Sequence, residues 1–63
     1  MKRRDLENWL KKQGCILHHH GGSHDVWVRL ATTNRSTVPR HKEIPNPLAR
    51  AVCDQLGVAR PKI

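Results

Sequence analysis

Gly22-Ser23-His24, just ahead of the alternating run Val26-Trp27-Val28-Arg29-Leu30, holds the residue types best suited to chemistry. Glycine lets a backbone come close to a ligand and take conformations closed to other residues. Serine adds a hydroxyl that donates and accepts, and histidine takes or gives a proton near neutral pH. Such a trio can hold a phosphate and move a proton. RNA can be cut this way without a metal: a base takes the 2′-hydroxyl proton, the oxygen attacks the adjacent phosphorus, and an acid protonates the leaving 5′-oxygen. His24 is the candidate base. Gly22 and Ser23 offer a backbone N–H and a hydroxyl to the phosphate, and Lys or Arg side chains steady the transition state. The plainer reading makes His24 a turn-capping side chain bonded to nearby backbone.

These residues need a hairpin to position them. Val26, Val28 and Leu30 alternate with Asp25, Trp27 and Arg29, which predicts a half-buried strand with the even positions inward. Gly21-Gly22 reads as a two-residue turn. Counting back from it sets His20 opposite Ser23, His19 opposite His24, His18 opposite Asp25, Leu17 opposite Val26 and Cys15 opposite Val28. Cross-strand partners share a face, so Cys15, Leu17, Val26 and Val28 are expected on the core side, with His24 at its rim. His19 then lies beside His24 and is the geometric candidate for the acid. His18 and His20 read as a solvated strand end. His41 is expected beside Trp27 on the outer face, away from the site. Five histidines raise the question of a metal, but no compact set of four Cys or His ligands exists, so neither metal nor cofactor is expected.

The flanking elements are helical. Leu6, Trp9, Leu10 and Gln13 share one face of a helix over 4–13, with Trp9 as core anchor and Gly14 as its stop. Asp5 and Glu7 near its start and Lys11 and Lys12 near its end suit the helix dipole. Residues 32–35 read as a turn with Asn34 in the left-handed position, and 36–41 as a third strand that Pro39 confines to an edge. Asn46 is the expected N-cap and Pro47 the first residue of a closing helix, with Gly57 as its C-terminal cap. Leu48, Ala49, Val52, Cys53 and Leu56 form its apolar stripe. The reading is one α+β domain over 1–63, ordered α-β-β-β-α, with both helices on one face of an antiparallel three-stranded sheet.

Sixty-three residues leave room for one thin core. Twelve Lys and Arg against five acidic residues give a net charge of +7, which points to a polyanionic partner. Lys11, Lys12, Arg29, Arg35, Arg40, Lys42 and Arg50 supply cations for a phosphate-tracking patch. Without Tyr or Phe, platforms for stacking bases are nearly absent. Cys15 and Cys53 read as reduced, buried thiols. No apolar run can span a membrane or serve as a signal core, so a cytoplasmic protein with no membrane partner is expected. A non-catalytic, basic RNA-binding module is the alternative to a ribonuclease.

The chain resembles the HicA family of bacterial toxin–antitoxin proteins over nearly its whole length. The likeness rests on a short helix ending Lys11-Lys12-Gln13-Gly14, on Gly22-Ser23-His24 followed by Val26-Trp27, on Val38-Pro39-Arg40-His41, and on a closing helix ending Leu56-Gly57. It implies a double-stranded-RNA-binding-domain-like fold and an mRNA interferase, an endoribonuclease whose catalytic histidine falls on His24 and whose turn glycine and serine fall on Gly22 and Ser23. It also implies a HicB-type antitoxin partner that covers the RNA-cleaving face and neutralises its charge. The His18-His19-His20 run and the two prolines of residues 42–47 depart from the family pattern.

Overall fold

The computed structural model describes all 63 residues. Helix α1 spans Arg3–Lys12, strands β1, β2 and β3 span Cys15–Gly21, His24–Arg29 and Arg35–Pro39, and helix α2 spans Asn46–Leu56. The expected α-β-β-β-α order is therefore observed. The strands form one antiparallel sheet in the order β1-β2-β3, leaving β2 central and the other two as edges.

The helices form where apolar spacing and caps agree. Leu6 and Leu10 of α1 are fully buried, and Gly14 follows the helix with φ +83°. In α2, Ala49, Val52, Cys53 and Leu56 are buried, and Gly57 ends the helix in the left-handed region. Leu48, expected in that stripe, is more than a third exposed. The helix starts one residue earlier than expected: Asn46 is its first residue and Pro45 precedes it as cap. The Asn46 side chain instead accepts a 3.0 Å hydrogen bond from the Met1 amino group.

Cys15, Trp27 and Val38, one from each strand, join these helix residues and Ile44 in a single core, so both helices cover one sheet face. Burying each large side chain is worth about 1.5–3 kcal/mol. The cysteines are free and buried, as expected.

The hairpin register differs from the expected one. Gly21 pairs with His24, so Gly22-Ser23 forms the two-residue turn. Gly22 has φ +48° and Ser23 is not left-handed, the pattern of a type II′ turn. A one-residue slip sends every side chain to the opposite face. Asp25 and Trp27 consequently face the helices, whereas Val26 and Val28 lie on the other side with His24. The reason is size. This register buries the indole of Trp27, 2% exposed, where the expected one would have buried two valines and Leu30, which is 62% exposed. A β-bulge between Leu17 and His19 then restores the pairing, placing Leu17 opposite Trp27 and Cys15 opposite Arg29. Trp9, expected as core anchor, only packs against the core's edge and donates its indole N–H to the Ala59 carbonyl at 2.8 Å.

Two smaller expectations also change. Thr33, not Asn34, takes the left-handed position in the second turn, with φ +62°. β3 ends at Pro39, with Ser36 opposite Trp27; His41 therefore lies beyond the strand and not beside Trp27.

Candidate active site

The Gly22-Ser23 turn closes one end of the sheet, and His24 is the first residue of β2 after it. Pairing with Gly21 on one side and Pro39 on the other fixes its backbone. Its exposed side chain projects from the face opposite the helices, which corrects the expected position at the rim of the core. Ser23 Oγ lies 3.0 Å from His24 Nδ1. A hydroxyl can donate or accept, so Ser23 holds the ring through Nδ1 in either tautomer and leaves Nε2 without a protein partner. With Nδ1–H donating to Ser23, Nε2 is a free base. With both nitrogens protonated, Nδ1–H still donates to Ser23 and Nε2–H can act as an acid.

Gly22 is needed for its backbone, not for space. A Cβ there would meet nothing within 4 Å, but its φ disfavours any L side chain. Gly21 is the reverse case: a Cβ would sit 3.3 Å from the His24 carbonyl oxygen and 3.6 Å from His19 Nε2. The His19 ring thus leans over the glycine that pairs with His24. His19 itself pairs with Val26, making it a diagonal neighbour of His24 on the same face and not its direct partner. The bulge places the His18 ring edge-on to His19, with centroids 5.1 Å apart.

On the helix side of the same sheet end, the corrected register joins residues the sequence reading kept apart. His20, not His18, lies opposite Asp25, and its Nδ1 donates to Asp25 Oδ1 at 2.8 Å. Arg40 Nε donates to the same oxygen at 2.7 Å. The Asp25 side chain is 7% exposed. The His20 hydrogen bond, with Arg40 beside it, holds its carboxyl below the usual carboxylate range against the desolvation that would raise it. The Arg40 backbone N–H also donates to the Ser23 carbonyl at 3.2 Å, fastening the chain after β3 to the turn. A lone acid in an otherwise apolar strand was the sequence signal for this cluster, readable only with Trp27 turned inward.

The basic residues divide between the two ends. Arg40 and Lys42 lie at the His24 end, where the Lys42 carbonyl accepts from the Arg3 N–H and a shallow cleft of about 520 Å³ is lined by Lys2, Arg3, Arg4, Lys42 and Glu43. Lys11 and Lys12 end α1 near the start of β1, and Arg29 ends β2, roughly 17 Å along the strand from His24. Arg29 donates to the Gly57 carbonyl at 2.9 Å. No three His, Cys, Asp or Glu side chains are grouped to hold a metal. No helix is long and apolar enough to cross a membrane.

Residues 3–58 match the family profile described as the HicA toxin of bacterial toxin–antitoxin systems. The chain belongs to the HicA toxin family. It is also 37% identical over 60 residues to a protein of Photorhabdus laumondii subsp. laumondii named "Probable mRNA interferase HicA 2", the alignment covering 92% of this chain and 98% of that one. No solved structure matches the chain. As a HicA chain, the protein is the toxin component of a toxin–antitoxin system. The HicA match covers the Gly22-Ser23 turn, His24 and the whole Asp25 cluster.

Proposed function

We propose that this HicA toxin is an endoribonuclease that cleaves mRNA by proton transfer through His24, with the 2′-hydroxyl of the substrate as nucleophile. One observation carries the reading: His24 stands exposed at the head of β2 with Nδ1 held by Ser23 and Nε2 free. Because the nucleophile is part of the substrate, the reaction needs a base, an acid and cations, but no metal-bound water. His24 Nε2 takes the 2′-hydroxyl proton. His19, which shares its face, protonates the leaving 5′-oxygen. Ser23 and the Gly22 N–H steady the phosphate. Arg40 and Lys42 hold the RNA near the scissile bond, while Lys11, Lys12 and Arg29 serve a strand long enough to reach the far end of the sheet. The substrate places the toxin in the cytoplasm. A HicB-type antitoxin silences it by covering the basic surface around His24.

The test is His24→Ala, checked for a native fold by circular dichroism. The variant is expected to lose RNA cleavage that the parent retains in EDTA, and to relieve growth arrest on induction. A folded His24→Ala protein that cuts RNA at the parent rate would leave a non-catalytic RNA-binding module as the better description.

A further inference from the structure

Asp25, His20 and Arg40 have no part in the chemistry above beyond the general pull of Arg40 on RNA, yet they form the one ion-paired cluster built on a buried acid. One buried carboxylate oxygen accepts from His20 Nδ1 at 2.8 Å and from Arg40 Nε at 2.7 Å. Each cation uses only one nitrogen in this way. The two terminal nitrogens of Arg40 and His20 Nε2 have no protein partner, and the side chains are 40% and 65% exposed. The acid is buried and the donors face water. Two side chains from opposite edges of the sheet are thereby fixed side by side at their inner nitrogens, with their outer nitrogens unspent.

We propose that this cluster is a phosphate-binding site that grips the RNA backbone next to the scissile phosphate. The proposal rests on the RNA-cleavage reading and adds a contact on the other side of the turn. His24 and His19 occupy one face, and His20 and Arg40 the other, both at the end of the sheet that the Gly22-Ser23 turn closes. The Arg40 N–H bond to the Ser23 carbonyl ties the site to that turn. A strand laid over the turn meets His24 at one phosphate and Arg40 with His20 at a neighbouring one. Asp25 acts as a positioning residue: it fixes two flexible cations before RNA arrives, which lowers the ordering cost of binding. His20 contributes only when protonated, because Nδ1–H is committed to Asp25 and a neutral ring presents Nε2 as an acceptor. The charged groups against it are Asp25 of β2 and Arg40 after β3, with His18 and His19 adjacent on its own strand.

The experiment uses the full chain carrying His24→Ala, so that RNA stays intact, and a fluorescein-labelled single-stranded RNA of about 12 nucleotides followed by anisotropy. Arg40→Gln is expected to weaken binding roughly tenfold and to lower the salt slope by about 0.7, the value of one phosphate contact on single strands. His20→Gln is expected to weaken binding several-fold at pH 6. Lys62→Gln, a charge-matched change remote in sequence, measures the diffuse contribution and is expected to do less. Asp25→Ala gives opposite signs for the two explanations. Diffuse attraction predicts tighter binding after an acid is removed, and a built site predicts weaker binding. His20 is exposed enough that His20→Gln folds even if Asp25→Ala does not. Arg40→Gln and His20→Gln at pH 6 both matching Lys62→Gln would overturn the site while leaving RNA binding intact. An absence of RNA binding by the His24→Ala parent would overturn this site and the RNA reading together.

Discussion

Replacing Asp25 with asparagine should destabilise the protein near neutral pH and have little effect in acid. The carboxylate is buried and accepts two charge-assisted bonds, at 2.7 and 2.8 Å. Such bonds contribute about 1.5–3 kcal/mol each when fully enclosed. Here both partners are substantially exposed, so screening and the desolvation of Asp25 reduce the pair to about 1–2 kcal/mol in total. A chain of this length has roughly 3–9 kcal/mol to lose. The sign follows from linkage. His20 and Arg40 depress the carboxyl in the folded state, so their stabilisation is complete above the ordinary aspartate value of about 3.9. It disappears as pH falls through the lower, folded value. Urea unfolding followed by tryptophan fluorescence, with Trp27 buried as the reporter, should show the parent above Asp25→Asn at pH 7 and the gap narrowing steadily as the pH falls below about 3.9. Asp54, held low by the exposed Arg60 pair, is common to both proteins and cancels in the difference. A stability gap that stays the same from pH 7 to pH 3, or no gap at pH 7, would refute the argument.

Gly22→Ala should cost about 1–2 kcal/mol through the left-handed backbone alone, since no atom blocks the new Cβ, and should lower cleavage by shifting Ser23 and His24. His19→Ala should reduce the cleavage rate by roughly 100-fold at unchanged stability, the scale of losing a general acid; a parent-like rate would remove His19 from the reaction. Burial pushes both the Cys15 and Cys53 thiols up, so neither should react with a thiol-specific disulfide reagent until urea opens the core. Rapid labelling of the native protein would contradict the packing of that core.

The helices were legible because their signals agreed with one another: the stripe of Ala49, Val52, Cys53 and Leu56 and the stop at Gly57 all mark one element. The hairpin was harder, because Gly21-Gly22 and Gly22-Ser23 are both acceptable turns by residue type. Local rules cannot choose between them. The decision is tertiary, made by the enclosure of Trp27 against Leu6, Leu10 and α2. That single slip inverted the face on which His24 stands and turned His20 from a solvated strand end into the partner of a buried acid. The bulge beyond Leu17 hid the error, since it lets Cys15 point inward in both registers. His24, Ser23 and Gly22 were found because their identities carry chemistry wherever the strand faces. Asp25 was missed because its importance depends entirely on facing inward.

A three-stranded sheet has two outer strands, and each displays a row of unpaired peptide groups on which another molecule's strand could form. β3 meets this hazard with Pro39, which has no N–H to offer. β1 meets it with the bulge between Leu17 and His19, which breaks its regular edge beside the exposed Ile16 and Leu17. Pro39 pairs with His24, so the guarded end of β3 is the end of the sheet that carries the reactive turn.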